Sequence, residues 1–217
     1  MLEVKRLHLA ELEVTGERWP VHGFVVTYPG GALLVDTGVG GPDDMLSDWR
    51  VVNRTAADAL ADIDMSPADI DLVINTHLHF DHCGQNAVFS HAPCYVQRAE
   101  YERAQAESRE LFDWFGFMNG RFELLEGDAE IVPGVRVMAT PGHTSGHQSV
   151  LVSAGDGIDV LIGDAAYTTT LFSAPEGARL PLGQAADRTA WAASLQRIKS
   201  QAPARVHFCH DTAVIHG

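Results

Sequence analysis

Residues 77–82 read His-Leu-His-Phe-Asp-His, which places three imidazoles and one carboxylate within six positions. They follow an apolar run, residues 71–76, with the composition of a buried strand. Imidazole nitrogen and carboxylate oxygen suit zinc and similar first-row divalent ions. On a locally extended chain His77 and His79 alternate onto one side, and Asp81 and His82 follow where the chain turns toward a second ion. The arrangement needs no helix. The set therefore divides into two pairs, each a partial shell of a dinuclear metal site. The plain alternative is a histidine-rich surface loop, and the downstream sequence argues against it.

Three later segments supply what is missing. Residues 141–147, Pro-Gly-His-Thr-Ser-Gly-His, follow a strand-like run at 135–139 and deliver His143 from a glycine-rich loop, where backbone can approach an ion closely. Residues 158–164 form an apolar run ending in Asp164, as a buried strand presents a ligand at its C-terminal edge. Residues 206–211 repeat the pattern with His210. The candidate ligands are thus His77, His79 and His143 for one ion, Asp81, His82 and His210 for the other, and Asp164 between them.

This pattern resembles the metallo-β-lactamase superfamily and, within it, the N-acyl homoserine lactone lactonases, which are quorum-quenching enzymes. The superfamily likeness rests jointly on the histidine motif, Val35-Asp36-Thr37-Gly38, the Pro141-Gly142-His143 loop and Gly163-Asp164. The lactonase likeness rests on the order and spacing of weaker matches. These are Phe80, residues 96–101 (Val-Gln-Arg-Ala-Glu-Tyr), 126–128 (Glu-Gly-Asp), 132–135 (Val-Pro-Gly-Val), 146–149 (Gly-His-Gln-Ser) and 164–167 (Asp-Ala-Ala-Tyr). The likeness runs from about Phe24 to Asp211. It implies an α/β chain with the metallo-β-lactamase-like fold, an αββα four-layer sandwich with helices outside two central sheets and the ligands at a loop edge between them.

The chain has 217 residues, 46% of them hydrophobic, which is enough for one full core, and a single domain spanning 1–217 is expected. No linker or low-complexity tract interrupts it. Residues 1–17 mix charges with apolar residues and lack the long apolar stretch of a signal peptide or membrane helix, so a cytoplasmic location is expected. The formal charge of −14 argues against nucleic acid and anionic membrane as partners, because both reward basic patches. Cys83, Cys94 and Cys209 make an odd count without Cys-X-X-Cys spacing, so reduced thiols are expected rather than disulfides or a structural zinc site. Cys83 stands where related lactonases tend to carry alanine and reads as a small buried side chain, with an oxidisable or metal-perturbing thiol as the alternative.

Residues 22–28 and 32–36 read as a hairpin around Pro29-Gly30-Gly31. Residues 55–63 read as a helix capped by Thr55, and residues 66–69 as a helix start with Ser66 at the cap and Pro67 at the first helical position. A strand follows at 71–76, another at 94–97, a helix-favouring segment at 98–111, and short strands from 121 to 163. Residues 187–200 read as an amphipathic helix capped by Asp187, with Trp191, Leu195 and Ile198 on its packing face.

Two divalent ions roughly 3.5–4 Å apart lower the pKa of a bridging water from about 15.7 toward about 7, so a bridging hydroxide is the expected nucleophile. Zinc is the first candidate, with manganese, iron and cobalt as alternatives. The resemblance implies opening of an acyl homoserine lactone to its hydroxy acid, with Tyr167 donating its hydroxyl to the carbonyl oxygen. Asp81, beside the second ion, is the candidate proton carrier to the leaving oxygen. Phe80 is read as an apolar wall over the substrate or as plain packing. Asp36 and His147 are read as hydrogen-bond supports of the ligands. His8, His22, His91, His207 and His216 have no motif support. The aromatic run 111–118 could line an acyl-chain groove, seal the core or form a dimer contact. Residues 38–52 occupy the place of a lid and dimer-contact loop in lactonases and are shorter here, with a homodimer the assembly to be considered. The alternatives are hydrolysis of another lactone, an ester or a glyoxalase-type thioester, or a metal-stabilised binding protein without turnover.

Overall fold

A computed structural model describes residues 1–107, 121–175 and 177–217. The strands are β1 (Glu3–Val14), β2 (Glu17–Tyr28), β3 (Gly31–Val35), β4 (Val52–Asn53), β5 (Leu72–Ile74), β6 (Cys94–Gln97), β7 (Phe122–Leu125), β8 (Ala129–Val132), β9 (Val135–Ala139), β10 (Gln148–Ala154), β11 (Gly157–Leu161), β12 (Arg205–His207) and β13 (Val214–His216). Among the described residues they form a seven-stranded sheet, β4-β1-β2-β3-β5-β6-β7, and a six-stranded sheet, β13-β12-β11-β10-β9-β8. In the first, β3, β5, β6 and β7 run parallel; in the second only β11 and β12 do.

The layering follows from side-chain alternation along each strand. Phe24 and Val26 of β2, Leu33 and Val35 of β3, and Ile74 of β5 face Val135, Val137, Val150, Val152 and Leu161 of the other sheet, forming the inter-sheet core. The intervening residues Val25, Leu34 and Val73 point outward, against Ala56, Ala59 and Leu60 of the Ala56–Ala61 helix and against Phe89. On the far side, Leu151, Val160 and Ile162 pack on Leu195 and Ile198 of the Arg188–Lys199 helix and on Phe172. Both faces of both sheets are thus covered, which is the expected αββα sandwich. It also explains why the central strands read as unbroken apolar runs.

The expected caps are present. Thr55 accepts from Asp58 N–H, and Asp187 accepts from the N–H groups of Thr189 and Ala190. The start at Ser66 is a single 3-10 turn, Pro67–Asp69, closed by a reciprocal capping box. The first strand departs from the sequence reading. Residues 3–14, which showed no clean pattern, form the long strand β1, paired with β2 and with β4. A register shift between His8 and Ala10 buries both Leu9 and Ala10 and so breaks the period-two signature. The aromatic run 111–118 lies outside the described residues.

The loop after β3 and the motif loop after β5 are bound backbone to backbone. Thr37 N–H donates to His82 O at 2.7 Å, Gly84 N–H to Gly38 O at 2.8 Å, and Gly40 N–H to Phe80 O at 3.0 Å. The approach leaves no room at Gly84, where a β-carbon would sit 1.9 Å from Gly40 N and 2.4 Å from Phe80 O. Overpacking of this kind costs about 1–3 kcal/mol. Gly84→Ala should therefore lower the unfolding free energy by that amount, read as a lower urea midpoint at unchanged m-value, and an unchanged midpoint would show that the close approach is dispensable.

Candidate metal centre and active site

The candidate ligands arrive from the same edge of the two sheets. His77 to His82 follow β5, His143 follows β9, Asp164 follows β11 and His210 follows β12. Extended backbone carries His77 and His79, and Phe80–Cys83 then forms one helical turn where the sequence reading required none. Two clusters result, one of His77, His79, His143 and Asp164, the other of Asp81, His82 and His210. In the first, His77 Nε2 lies 2.9 Å from His79 Nδ1 and 3.1 Å from His143 Nε2, and the last two are 3.0 Å apart. Tetrahedral ligands at the usual zinc–nitrogen distance stand roughly 3.3 Å apart.

Asp164 lies between the clusters. Its Oδ2 is 3.3 Å from His143 Nε2 and 3.6 Å from His77 Nε2, while its Oδ1 is 3.3 Å from both His82 Nε2 and His210 Nε2. Asp81 Oδ2 faces His82 and His210 at 3.7 and 3.6 Å. All seven sequence-predicted ligands therefore come together.

The opposite ring nitrogens explain why these atoms point inward. His82 Nδ1–H donates to Asp36 Oδ2 at 2.8 Å, His210 Nδ1–H to Pro20 O at 2.9 Å, and His143 Nδ1–H to Gln184 O at 3.3 Å. Thr76 gives its hydroxyl proton to Asp36 and accepts from His77 Nδ1–H at 3.1 Å. Each bond fixes the tautomer that turns an Nε2 lone pair toward the centre. His147 takes Asp164 N–H on its Nε2 at 2.9 Å and donates from Nδ1 to Thr140 O at 3.1 Å, so it orients the shared carboxylate. Asp36 and His147 thus occupy the supporting positions the sequence suggested.

The electrostatics leave this centre short of positive charge. Burial, then the neighbouring imidazoles, hold His77 well below the ordinary histidine value, and burial and His143 push His79 down to about 4, which keeps both rings neutral. Burial opposes charge on His82, yet Asp164, Asp81 and Asp36 hold it above its ordinary value, and Asp164 and Asp81 do the same for His210. His82 Nε2 and Asp164 Oδ1, 3.3 Å apart, are both buried and make no hydrogen bond of normal geometry among the described residues. Orphaned polar atoms of this kind are costly. Converging nitrogen lone pairs, carboxylates and unmet inward atoms fit divalent cations.

The centre opens into a chamber of about 470 Å³ walled by Leu12, Val14, Trp19, Met45, Trp49, Phe80 and Leu182, with Tyr167 beside the candidate ligands. The Tyr167 ring packs edge-on to Trp19 at 5.6 Å and stands 5.6–5.7 Å from the rings of His210 and His143. Burial, then Asp164 and Asp81, raise its phenol above the usual tyrosine value, so it keeps its proton at neutral pH. Phe80 lines the chamber and packs against Trp49 at 5.6 Å. Met45 and Trp49 come from the 38–52 loop, and Leu12, Val14 and Trp19 from β1 and β2. Sequence reasoning singled out none of these five, since apolar residues in strands and short helices carry no mark of facing a cleft. Cys83 is the expected small buried side chain. Its thiol donates to His79 O at 3.1 Å, and burial raises it well above the usual thiol value.

Comparison with known proteins agrees with this geometry. The family model of the metallo-beta-lactamase superfamily matches residues 16–210. An N-acyl homoserine lactonase of Bacillus cereus is 36% identical over 169 residues, 70% of this chain and 66% of the relative, so the match spans just under two thirds of the Bacillus protein. The N-acyl homoserine lactonase AttM of Rhizobium radiobacter is 31% identical over 228 aligned positions, covering 91% of this chain and 81% of the relative. A solved structure of an N-acyl homoserine lactone hydrolase with the product N-hexanoyl-L-homoserine at its catalytic metal center matches with TM-score 0.76. It is 27% identical and covers 97% of this chain and 93% of that one. No helix among the described residues is long and apolar enough to cross a membrane. On the family match and on its lactonase relatives, the chain belongs to the metallo-beta-lactamase superfamily.

Proposed function

We propose that this protein is a metal-dependent hydrolase that opens the ring of N-acyl homoserine lactones. One arrangement carries the reading: a carboxylate, Asp164, turns one oxygen to each of two ligand clusters at the floor of an apolar chamber. His77, His79 and His143 would hold one divalent ion, Asp81, His82 and His210 the other, and Asp164 both, with zinc the proposed metal. When bound, such a pair supplies Lewis acidity toward the lactone carbonyl and lowers the pKa of water at the site.

The chain's own groups do the rest. Tyr167, held protonated by its surroundings, donates its O–H to the carbonyl oxygen as charge develops there. Asp81 turns Oδ2 toward His82 and His210, which leaves Oδ1 to take a proton from the attacking water and deliver it to the ring oxygen. Water adds to the carbonyl carbon, the bond from that carbon to the ring oxygen breaks, and the product is the open hydroxy acid. The walls formed by Trp19, Met45, Trp49 and Phe80 accept an acyl tail and exclude water, which strengthens each polar contact at the floor. The net charge of −14 suits a small neutral substrate and not nucleic acid.

The deciding assay is ring opening of short- and long-chain acyl homoserine lactones by the zinc-loaded protein, read by mass spectrometry beside a simple γ-lactone and a glutathione thioester. Efficient opening of the homoserine lactones, lost on chelation and in Asp81→Asn, is expected; preference for the thioester would sink the substrate reading. Tyr167→Phe should keep its zinc and lose about 10²–10³ in kcat, or about 2.7–4 kcal/mol, and an unchanged kcat would remove the tyrosine from the chemistry. Trp49→Ala should raise KM for a long-chain substrate roughly tenfold, about 1.4 kcal/mol, and leave a γ-lactone without a tail unaffected. Equal effects on both would place the acyl tail elsewhere.

A further inference from the structure

We infer that Glu100 is a positioning residue whose buried carboxylate sets the spacing of His77 and His79, and so the shape of the cluster they form with His143. The inference rests on the reading of those three side chains as holding a metal ion.

Glu100 lies in the first turn of the Arg98–Glu107 helix and is completely buried. Its Oε1 accepts the backbone N–H of Leu78 at 2.9 Å. Leu78 stands between His77 and His79, so this bond fixes the extended backbone that turns both rings to one side. The same oxygen accepts from Arg103 Nε at 3.2 Å and Nη2 at 2.6 Å, and Arg103 also pairs with Glu107. Arg103, its side chain 12% exposed, lines with His79, His143 and Thr144 an open pocket of about 440 Å³.

The start of the same helix also meets the loop that carries His143. Gly146 approaches the start of the helix so closely that a β-carbon there would lie 2.0 Å from Glu100 N. Glu100 Oε2 and the Thr144 hydroxyl are both buried without a hydrogen-bond partner among the described residues. Thr144 is the neighbour of His143. Glu100 therefore meets both segments of this cluster: its carboxylate holds the Leu78 N–H between His77 and His79, and its backbone and Cβ stand against Gly146 of the loop that carries His143.

Among the described residues Arg103 is the one cation pairing with this carboxylate, and the side chains packed around it are largely apolar. The surroundings, Leu78, Val96 and Ala104, form an apolar cluster that an aliphatic side chain could join, whereas a buried ion pair carries a desolvation cost. An aliphatic side chain could not accept the Leu78 N–H. Holding the His77–His79 backbone in register is the property that the carboxylate adds.

The test is zinc binding by the whole protein, comparing wild type with Glu100→Ala and Glu100→Gln. Stepwise affinities come from competition with a chromophoric chelator, stoichiometry from elemental analysis, and fold integrity from the urea midpoint of the zinc-free protein. His210→Ala, which removes a ligand of the other cluster, identifies which binding step belongs to which cluster. In E100A the affinity of the step assigned to His77, His79 and His143 should fall roughly 10–100-fold, as for other supports of metal ligands, while the other step is unchanged. E100Q keeps the volume and an acceptor for Leu78 and should lose less, at an unaltered urea midpoint; it is the deciding variant if E100A does not fold. Wild-type affinities in the variants, or equal losses at both steps, overturn the inference. A wild-type protein that takes up no zinc sinks the metal reading, and the inference falls with it.

Discussion

The site depends first on a carboxylate that cannot touch substrate. Asp36, 1% exposed, ends β3 in a left-handed conformation at φ 59° and receives the Thr76 N–H, the Thr76 hydroxyl and the His82 Nδ1–H, each at 2.8 Å. A carboxylate this deep is tolerable only when its lone pairs are met, and here three donors meet them. Through Thr76 and His82 the same group fixes two imidazole tautomers and ties the end of β3 to the start of the motif loop. Backbone bonds from Thr37, Gly40 and Gly84 then lock the two loops together. The unusual φ is the kind of local strain that persists where surrounding contacts over-determine it.

Above that base the chemistry divides by polarity. The floor gathers carboxylates and imidazoles; the walls are apolar and aromatic side chains, with the indoles of Trp19 and Trp49 among them. Tyr167 stands at the boundary, its ring on Trp19 and its hydroxyl held protonated by burial and by the carboxylates. That position suits a donor that must keep its proton yet release a hydrogen bond where charge appears. A floor of fixed dipoles beneath a dry wall requires little reorganisation during reaction.

How much of this was legible in the sequence follows from how each part is encoded. The candidate ligands were readable because His77 to His82 are contiguous and the remaining three sit at the ends of apolar runs. The layering was expected from the family resemblance and not from periodicity, because β2, β3 and β10 are buried on both faces and read as unbroken apolar runs. β1 was not readable, since its bulge puts Leu9 and Ala10 both in the core. The chamber wall was not readable either. Trp19, Met45 and Trp49 look like ordinary apolar residues until tertiary contacts decide whether they face a core or a cleft. Glu100 lay inside a quoted motif, but nothing local shows that a helix-favouring glutamate is buried against a loop some twenty positions earlier in the chain.

The ligand clusters draw on residues from 77 to 210, spread over the loops after β5, β9, β11 and β12. Neither cluster exists in an unfolded chain, nor in one whose two sheets have not met. An ion that binds only the assembled edge acts as a thermodynamic latch, adding RT ln(1 + [L]/Kd), or about 2.7 kcal/mol when free metal is a hundred times Kd. On the proposed metal reading, the stability of the folded protein would follow the free-metal level of its surroundings. Scarcity of the ion would then lower the folded fraction, because a chain without ions would lack part of what holds its sheets together.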